Sequence, residues 1–213
     1  MAFSFPKIYP ILDSSFLPAV GRVEFLSRLG AELAQAGVTI LEYRNKAGSD
    51  VQILADGAVL REAMPAAQVK LILDDRVDLV GKLGFDGVHV DSGDASPGQA
   101  RHILGPKRIV GTFGGGDGLV PGILSVPADY LSIGPVGTTR TKQTTKAPIG
   151  VEGVRRLRGE AGTGPVLVAV GGVTLANAAA VLEAGASVVA VAGALFRNAD
   201  PAAEFRRWVA ELR

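Results

Sequence analysis

"VLVAVGGVTLANAAAVLEAGASVVAV", residues 166–191, decides how the chain folds. It opens on an apolar, valine-rich run (166–170) and turns through Gly171-Gly172. It continues through an Ala- and Leu-rich segment with helical spacing (174–185) and returns to a second apolar run (187–191). A short strand, a helix and another short strand of this kind form a βαβ unit, two parallel strands joined by a crossover helix. Thr174 stands at the start of the helix and is a residue type that caps helix N-termini. Gly185 closes the helix before the second strand. Strands apolar at nearly every position suit a parallel sheet covered on both faces.

Working outward, the same grammar recurs. Strands are expected at 8–12, 39–43, 69–73, 87–90, 108–112 and 129–133, ahead of the two just described. Helices are expected at 23–37, ending on Gly37, and at 202–212. The stretch between Gly114 and Asp129 holds two prolines and reads poorly as a helix. Strands alternating with helices or helix-like connections predict a (β/α)8 barrel, a TIM barrel, in one domain spanning 1–213. A doubly wound open sheet is the alternative.

Composition narrows the function. The chain is 47% hydrophobic and has 22 Lys and Arg against 21 Asp and Glu, a net charge of +1. That balance argues against a nucleic-acid partner. With no cysteine, disulfides, thiolate metal sites and a cysteine nucleophile are excluded, and a reducing, cytoplasmic location is expected. No secretory signal or membrane span is expected either.

In a barrel, residues just past the strands gather at one rim, where the chemistry sits. Asp13 follows the first strand; Glu42, Arg44 and Lys46 lie at the end of the second; Asp74 and Asp75 end the third; Asp91 and Asp94 follow the fourth. After the sixth strand comes "GPVGTTRTKQTTKAPIG" (134–150), which crowds Thr, Lys and Arg onto Gly and Pro. Acids on neighbouring strand ends with cations around them suit a magnesium–diphosphate site, because Mg2+ takes few carboxylates plus phosphate oxygens and water. Backbone N–H groups at Gly171-Gly172 and near Gly193 suit a phosphate. Each feature has a plainer reading. The Thr/Lys loop can be a solvated loop, Gly-Gly a tight turn, and Asp75 and Asp94 helix caps. His89 reads as a packed, hydrogen-bonded residue inside its strand. Trp208 reads as packing on the barrel exterior or as a subunit contact.

Taken together the motifs resemble the thiamine phosphate synthase and thiazole tautomerase family, and the synthases more closely. The resemblance runs nearly end to end through "IYPILD" (8–13), "LEYRNK" (41–46), "LILDDRVDLVGKLGFDGVHV" (71–90), "ADYLSIGPVGTTRTK" (128–142) and "VAVGGVTLANAAAVLEAGASVVAVAGALF" (168–196). It implies an enzyme, a transferase that joins an aminopyrimidine methyl diphosphate to a thiazole phosphate with release of pyrophosphate. It implies that Arg44, Lys46 and Lys142 grip the diphosphate and that Asp75 and Asp94 bind Mg2+. Thr139 and Thr141 then stand near the thiazole phosphate, with Gly172 and Gly193 as its backbone donors. The partners implied are small phosphorylated substrates, without nucleic acid or membrane; a homo-oligomer is left open.

The sequence departs from that pattern at the substrate pocket. Glu42 stands where the family has Gln touching the pyrimidine, and Asp74 replaces an Asn that helps bind the diphosphate. Phe113 replaces a small hydroxyl or thiol residue. One lost hydrogen bond to a charged group costs roughly 1.5–3 kcal/mol, or about 10- to 150-fold in rate. These changes leave two alternatives to a synthase: a non-catalytic or repurposed binder of a phosphorylated heterocycle, and a thiazole tautomerase. The tautomerase needs a proton-transferring His after the fifth strand, where "TFGGGDG" (112–118) has none.

Overall fold

The computed structural model describes residues 3–139 and 145–213. Eight parallel strands close into a barrel in chain order, with the last paired to the first. They are β1 (Ile8–Asp13), β2 (Ile40–Arg44), β3 (Lys70–Asp74), β4 (Gly87–Val90), β5 (Ile109–Gly115), β6 (Tyr130–Ile133), β7 (Leu167–Val170) and β8 (Val188–Val191). Closure excludes the open sheet. The helices are α1 (Arg22–Gln35), α2 (Asp50–Ala63), α3 (Val77–Leu83), α4 (Pro97–Leu104), α5 (Gly150–Ala161), α6 (Leu175–Glu183), α7 (Gly193–Phe196) and α8 (Pro201–Glu211). Between β5 and β6 only a 3-10 turn forms, Ile123–Ser125, in the proline-bearing segment.

The strand period of two separates the residues into two cores. Tyr9, Ile40, Ile72, Ile109, Tyr130, Val168, Val188 and Ala190 fill the barrel interior. Their neighbours in sequence, among them Leu41, Leu71, Val110, Leu131, Leu167 and Val189, face out and pack with the helices. Tyr130 needs room to cross the interior, and Gly111 on the paired strand provides it. A Cβ at Gly111 would lie 2.0 Å from the Tyr130 ring.

Helix ends follow local chemistry. Thr174 is the N-cap of α6, its N–H donating to Asn177 Oδ1 at 2.9 Å. Gly37 and Gly185, just past α1 and α6, adopt φ of 94° and 107°, a region L side chains avoid. Trp208 is fully buried within the chain and donates to Glu204 Oε1 at 3.0 Å, so packing rather than a subunit contact accounts for it. Among the described residues no helix is long and apolar enough to cross a membrane.

Candidate active site

The C-terminal ends of the strands open into a cavity of about 860 Å3. Of the residues expected at the rim, Glu42, Arg44, Lys46, Asp74, Asp94, Phe113, Thr139, Gly172 and Gly193 line it. Asp75 stands beside them, joined through Lys46. Lys142 and Thr141 lie outside the described residues.

Alternation along β2 and the residues after it turns Glu42, Arg44 and Lys46 the same way, Glu42 deeper by one pleat, roughly 6–7 Å along the strand. Arg44 pairs with Asp13, and its Nε lies 3.4 Å from Asp74 Oδ2. Lys46 pairs with Asp75 and lies 3.3 Å from Asp74 Oδ2. Glu42 is therefore not the ion-pair partner of either cation. Asp74 is buried, and burial raises its pKa even though Lys46, His89 and Arg44 pull the other way. Its Oδ2 has ion-pair neighbours but no hydrogen bond.

Below the rim lies a polar floor. Tyr9 Oη donates to Glu42 Oε2 at 3.1 Å and lies 3.2 Å from Tyr130 Oη. Tyr130 in turn meets His89 Nδ1 at 3.0 Å, and the two rings stack. His89 Nε2 faces Asp91 Oδ1 at 3.6 Å. Burial pushes Glu42 up to about 7, with Asp74 and Asp91 adding to the rise against His89 and the Tyr9 hydrogen bond. For His89 burial acts downward, yet the carboxylates of Asp91, Glu42 and Asp74 together outweigh it and raise its pKa. His89 is thus packed and hydrogen-bonded, as expected, but it also lines the cavity.

Asp75 and Asp94 are not helix caps. Ser96 caps α4, and Arg76 stands at the N-cap position of α3. Asp75 instead holds φ of 64°, strained for a non-glycine residue, with its N–H donated to His89 O at 2.8 Å. Strain of this sort costs on the order of 1–3 kcal/mol and collects at working sites. Its Oδ1 is buried without a hydrogen-bond partner. Burial, then a hydrogen bond shared with Asp94, then Asp74 push Asp75 up to about 7, against Lys46. Two carboxyl groups that close need a proton or a cation between them. This donor set fits a hard divalent ion that completes its shell with water and ligand phosphate. Asp94 Oδ2 also accepts the Asp91 N–H at 2.9 Å, which orients it.

The far side of the cavity is built from backbone. Val136 N–H donates to Val170 O at 3.0 Å and Gly137 N–H to Gly171 O at 2.8 Å, stitching the loop after β6 to the turn after β7. Gly171 and Gly172 hold φ of 83° and 69°, and a Cβ on Gly172 would lie 2.3 Å from the Gly137 backbone. Gly-Gly here is a close approach of two loops, not only a tight turn.

Sequence reasoning missed several lining residues. Tyr9 and Tyr130 were counted only as strand residues, although the alternation that turns Ile11 and Ser132 inward turns them inward too. Lys146 and Arg197 also line the cavity. Lys146 Nζ sits 3.8 Å from the Phe113 ring centroid, and the Arg197 guanidinium lies 5.5 Å from that of Phe16. No local pattern marks either pair.

Comparison with known proteins bears on the family and the fold. The family model described as "Thiamine monophosphate synthase" matches residues 8–195. The thiamine-phosphate synthase of Koribacter versatilis is 38% identical over 186 residues, covering 87% of each chain. That of Agrobacterium fabrum is 38% identical over 178 residues, covering 82% of this chain and 81% of its own. Among solved structures, thiamine phosphate pyrophosphorylase from Pyrococcus furiosus superposes with a TM-score of 0.75 at 26% identity, covering 97% of this chain and 96% of that one. A 3-hexulose-6-phosphate synthase, at 19% identity and a TM-score of 0.67, shares the fold. The chain belongs to the thiamine monophosphate synthase family.

Proposed function

We propose that the protein is a magnesium-dependent thiamine phosphate synthase of the cytoplasm. It would join 4-amino-2-methyl-5-hydroxymethylpyrimidine diphosphate to thiazole phosphate and release pyrophosphate. The observation that carries the reading is the polarity of the cavity: cations and the Asp75–Asp94 pair at the rim, aromatic rings and carboxyl groups at the floor. A ligand with a diphosphate at one end and an electron-poor ring at the other matches both levels.

Arg44 and Lys46 would exchange carboxylate partners for phosphate oxygens, with Lys142 as a third cation for the diphosphate. Asp75 and Asp94 would hold Mg2+, which when bound supplies positive charge to the pyrophosphate as it leaves. The C–O bond breaks with its electron pair on the departing pyrophosphate, and positive charge spreads from the methylene carbon into the pyrimidine. Tyr9, Tyr130 and the floor carboxyl groups favour that charge electrostatically, in a site walled by Ile11, Val168, Val170 and Ala190. The backbone of Gly172 and Gly193, with Thr139 and Thr141, would hold the thiazole phosphate so that the ring nitrogen points at the cation. The nitrogen lone pair then forms the C–N bond, so neither a covalent nucleophile nor a general base is required.

The departures at Glu42 and Asp74 fit this scheme. The acid form of Glu42 presents one donor and one acceptor, as a carboxamide does. Asp74 is offset by Arg44 and Lys46 on its own side of the rim. The test is thiamine phosphate formation by purified protein from the two substrates with magnesium, and again with excess EDTA. Magnesium-dependent product is expected, and its loss in EDTA. Absence of product with magnesium, beside a known synthase that is active, would overturn the reading.

A further inference from the structure

The acids that line the cavity, Glu42, Asp74, Asp91 and Asp94, all stand on or just after β2, β3 and β4. Among the described residues, β6, β7, β8 and the connections after them bring no acid to the lining. They bring backbone at Gly172 and Gly193, threonine hydroxyls and, past β8, the side chain of Arg197. β8 is four strands from β4 whichever way the barrel is followed, so Arg197 enters from the wall opposite Asp94.

Local structure fixes where this arginine starts. Gly193 and Arg197 stand about one turn apart at the two ends of α7, and the Arg197 N–H donates to Gly193 O at 3.2 Å. Asn198 closes the turn, its Nδ2 donating to Ala194 O at 2.7 Å. An aromatic face then holds the side chain. The guanidinium lies 5.5 Å from the Phe16 ring centroid, and Phe16, in the 3-10 turn Ser14–Phe16 after β1, stacks on Phe196. Asp200, the nearest acid in sequence, instead accepts the Ala203 N–H at 2.8 Å and caps α8. Among the described residues Arg197 forms no ion pair. An aromatic ring attracts a cation through its quadrupole and leaves its charge intact.

The donors proposed for the second phosphate, Gly172, Gly193, Thr139 and Thr141, are all neutral, whereas a phosphate monoester at pH 7 is close to a dianion. We propose that Arg197 binds that phosphate from the β8 side of the cavity, and that Phe16 is the positioning residue that aims it. The guanidinium presents paired N–H donors whose spacing matches two phosphate oxygens. That the ester is the thiazole phosphate rests on the synthase reading; the anion site does not.

Two titrations followed by phosphorus NMR test this: inorganic phosphate without metal, and pyrophosphate with magnesium. Each goes into wild type, Arg197→Ala, Arg197→Lys, Phe16→Leu and Phe16→Tyr. Losing a charge-assisted contact at an exposed site weakens phosphate about tenfold in Arg197→Ala, and Arg197→Lys recovers part of the loss, with the charge but not the fork. Phe16→Leu loses roughly threefold, whereas Phe16→Tyr keeps an aromatic face and binds as wild type. Pyrophosphate with magnesium keeps its affinity throughout, because its proposed site is on the opposite wall. Unchanged phosphate affinity in Arg197→Ala, an equal loss for pyrophosphate, or no phosphate binding by wild type would overturn the assignment. Unchanged affinity in Phe16→Leu would overturn the role of the ring. Binding needs no turnover, so a wild type that holds phosphate through Arg197 yet makes no thiamine phosphate supports this site while removing the synthase reading.

Discussion

Glu42 is acceptor-only when ionised and sits in a buried place with Tyr9 Oη as its donor. Burial raises its pKa from 4.5 to about 7, so the folded protein holds a proton there that the unfolded chain has already lost. The stabilising effect of that proton is complete below pH 4.5 and is lost as the pH rises through about 7. Glu42→Gln removes the titration, and Tyr9 can still donate to the amide oxygen. The variant should match wild type at pH 5 or slightly below and exceed it at pH 8 by on the order of 3 kcal/mol. Urea denaturation at the two pH values checks this; equal stability at pH 8 would contradict the burial argument. At this scale the sequence was legible where residues carry charge and follow a strand. Glu42, Arg44, Lys46 and Asp74 all line the cavity, Glu42 one pleat below the predicted rim. The inward tyrosines were not, because a tyrosine in an apolar strand looks the same whichever face it takes.

Elements hold the rim in place through ties on the outer surface of the barrel. Asp56 of α2 is buried and gathers Arg22 from α1, with Nη2 at 2.6 Å, together with Tyr43 from β2 and Gln52 at 2.8 Å. Tyr43 is the immediate neighbour of Arg44, so this tie fixes the strand end that presents the rim cations. Asp56→Ala leaves a half-buried guanidinium and a buried phenol unmatched. It should destabilise the fold by about 2–4 kcal/mol, below the 3–5 kcal/mol of fully buried pairs because Arg22 keeps some contact with water. Chemical denaturation reads this out, and a loss under 1 kcal/mol would contradict it. The elements themselves were legible from their apolar runs, with one informative exception. β5 continues through Gly114 and Gly115, residues that weaken strands and read as loop. Pairing of Gly115 with Ile133 on the next strand extends it, and the chain turns straight back in a bridge from Gly115 to Leu119.

Across the whole molecule the barrel turns a nearly neutral sequence into a polarised site. A net charge of +1 conceals cations at one level of the cavity and acids and aromatics at another. Closure does this, bringing the ends of β2, β3, β4 and β5 around one opening and placing the Gly-Gly turn of β7 opposite. The repeated strand–helix grammar made a barrel the expectation with an open sheet as its alternative, and closure, a pairing of the first strand with the last, decided between them. The contact of Lys146 with Phe113 could not be read from the sequence, since it joins a loop to the end of β5 through the tertiary fold alone.

The central claim is that the two levels of the cavity unite two substrates. The most direct measurement follows pyrophosphate and thiamine phosphate in the same reaction, with each substrate omitted in turn. The account predicts one pyrophosphate per thiamine phosphate and neither product when the aminopyrimidine diphosphate is left out. Pyrophosphate release that never yields thiamine phosphate when both substrates are present would contradict it.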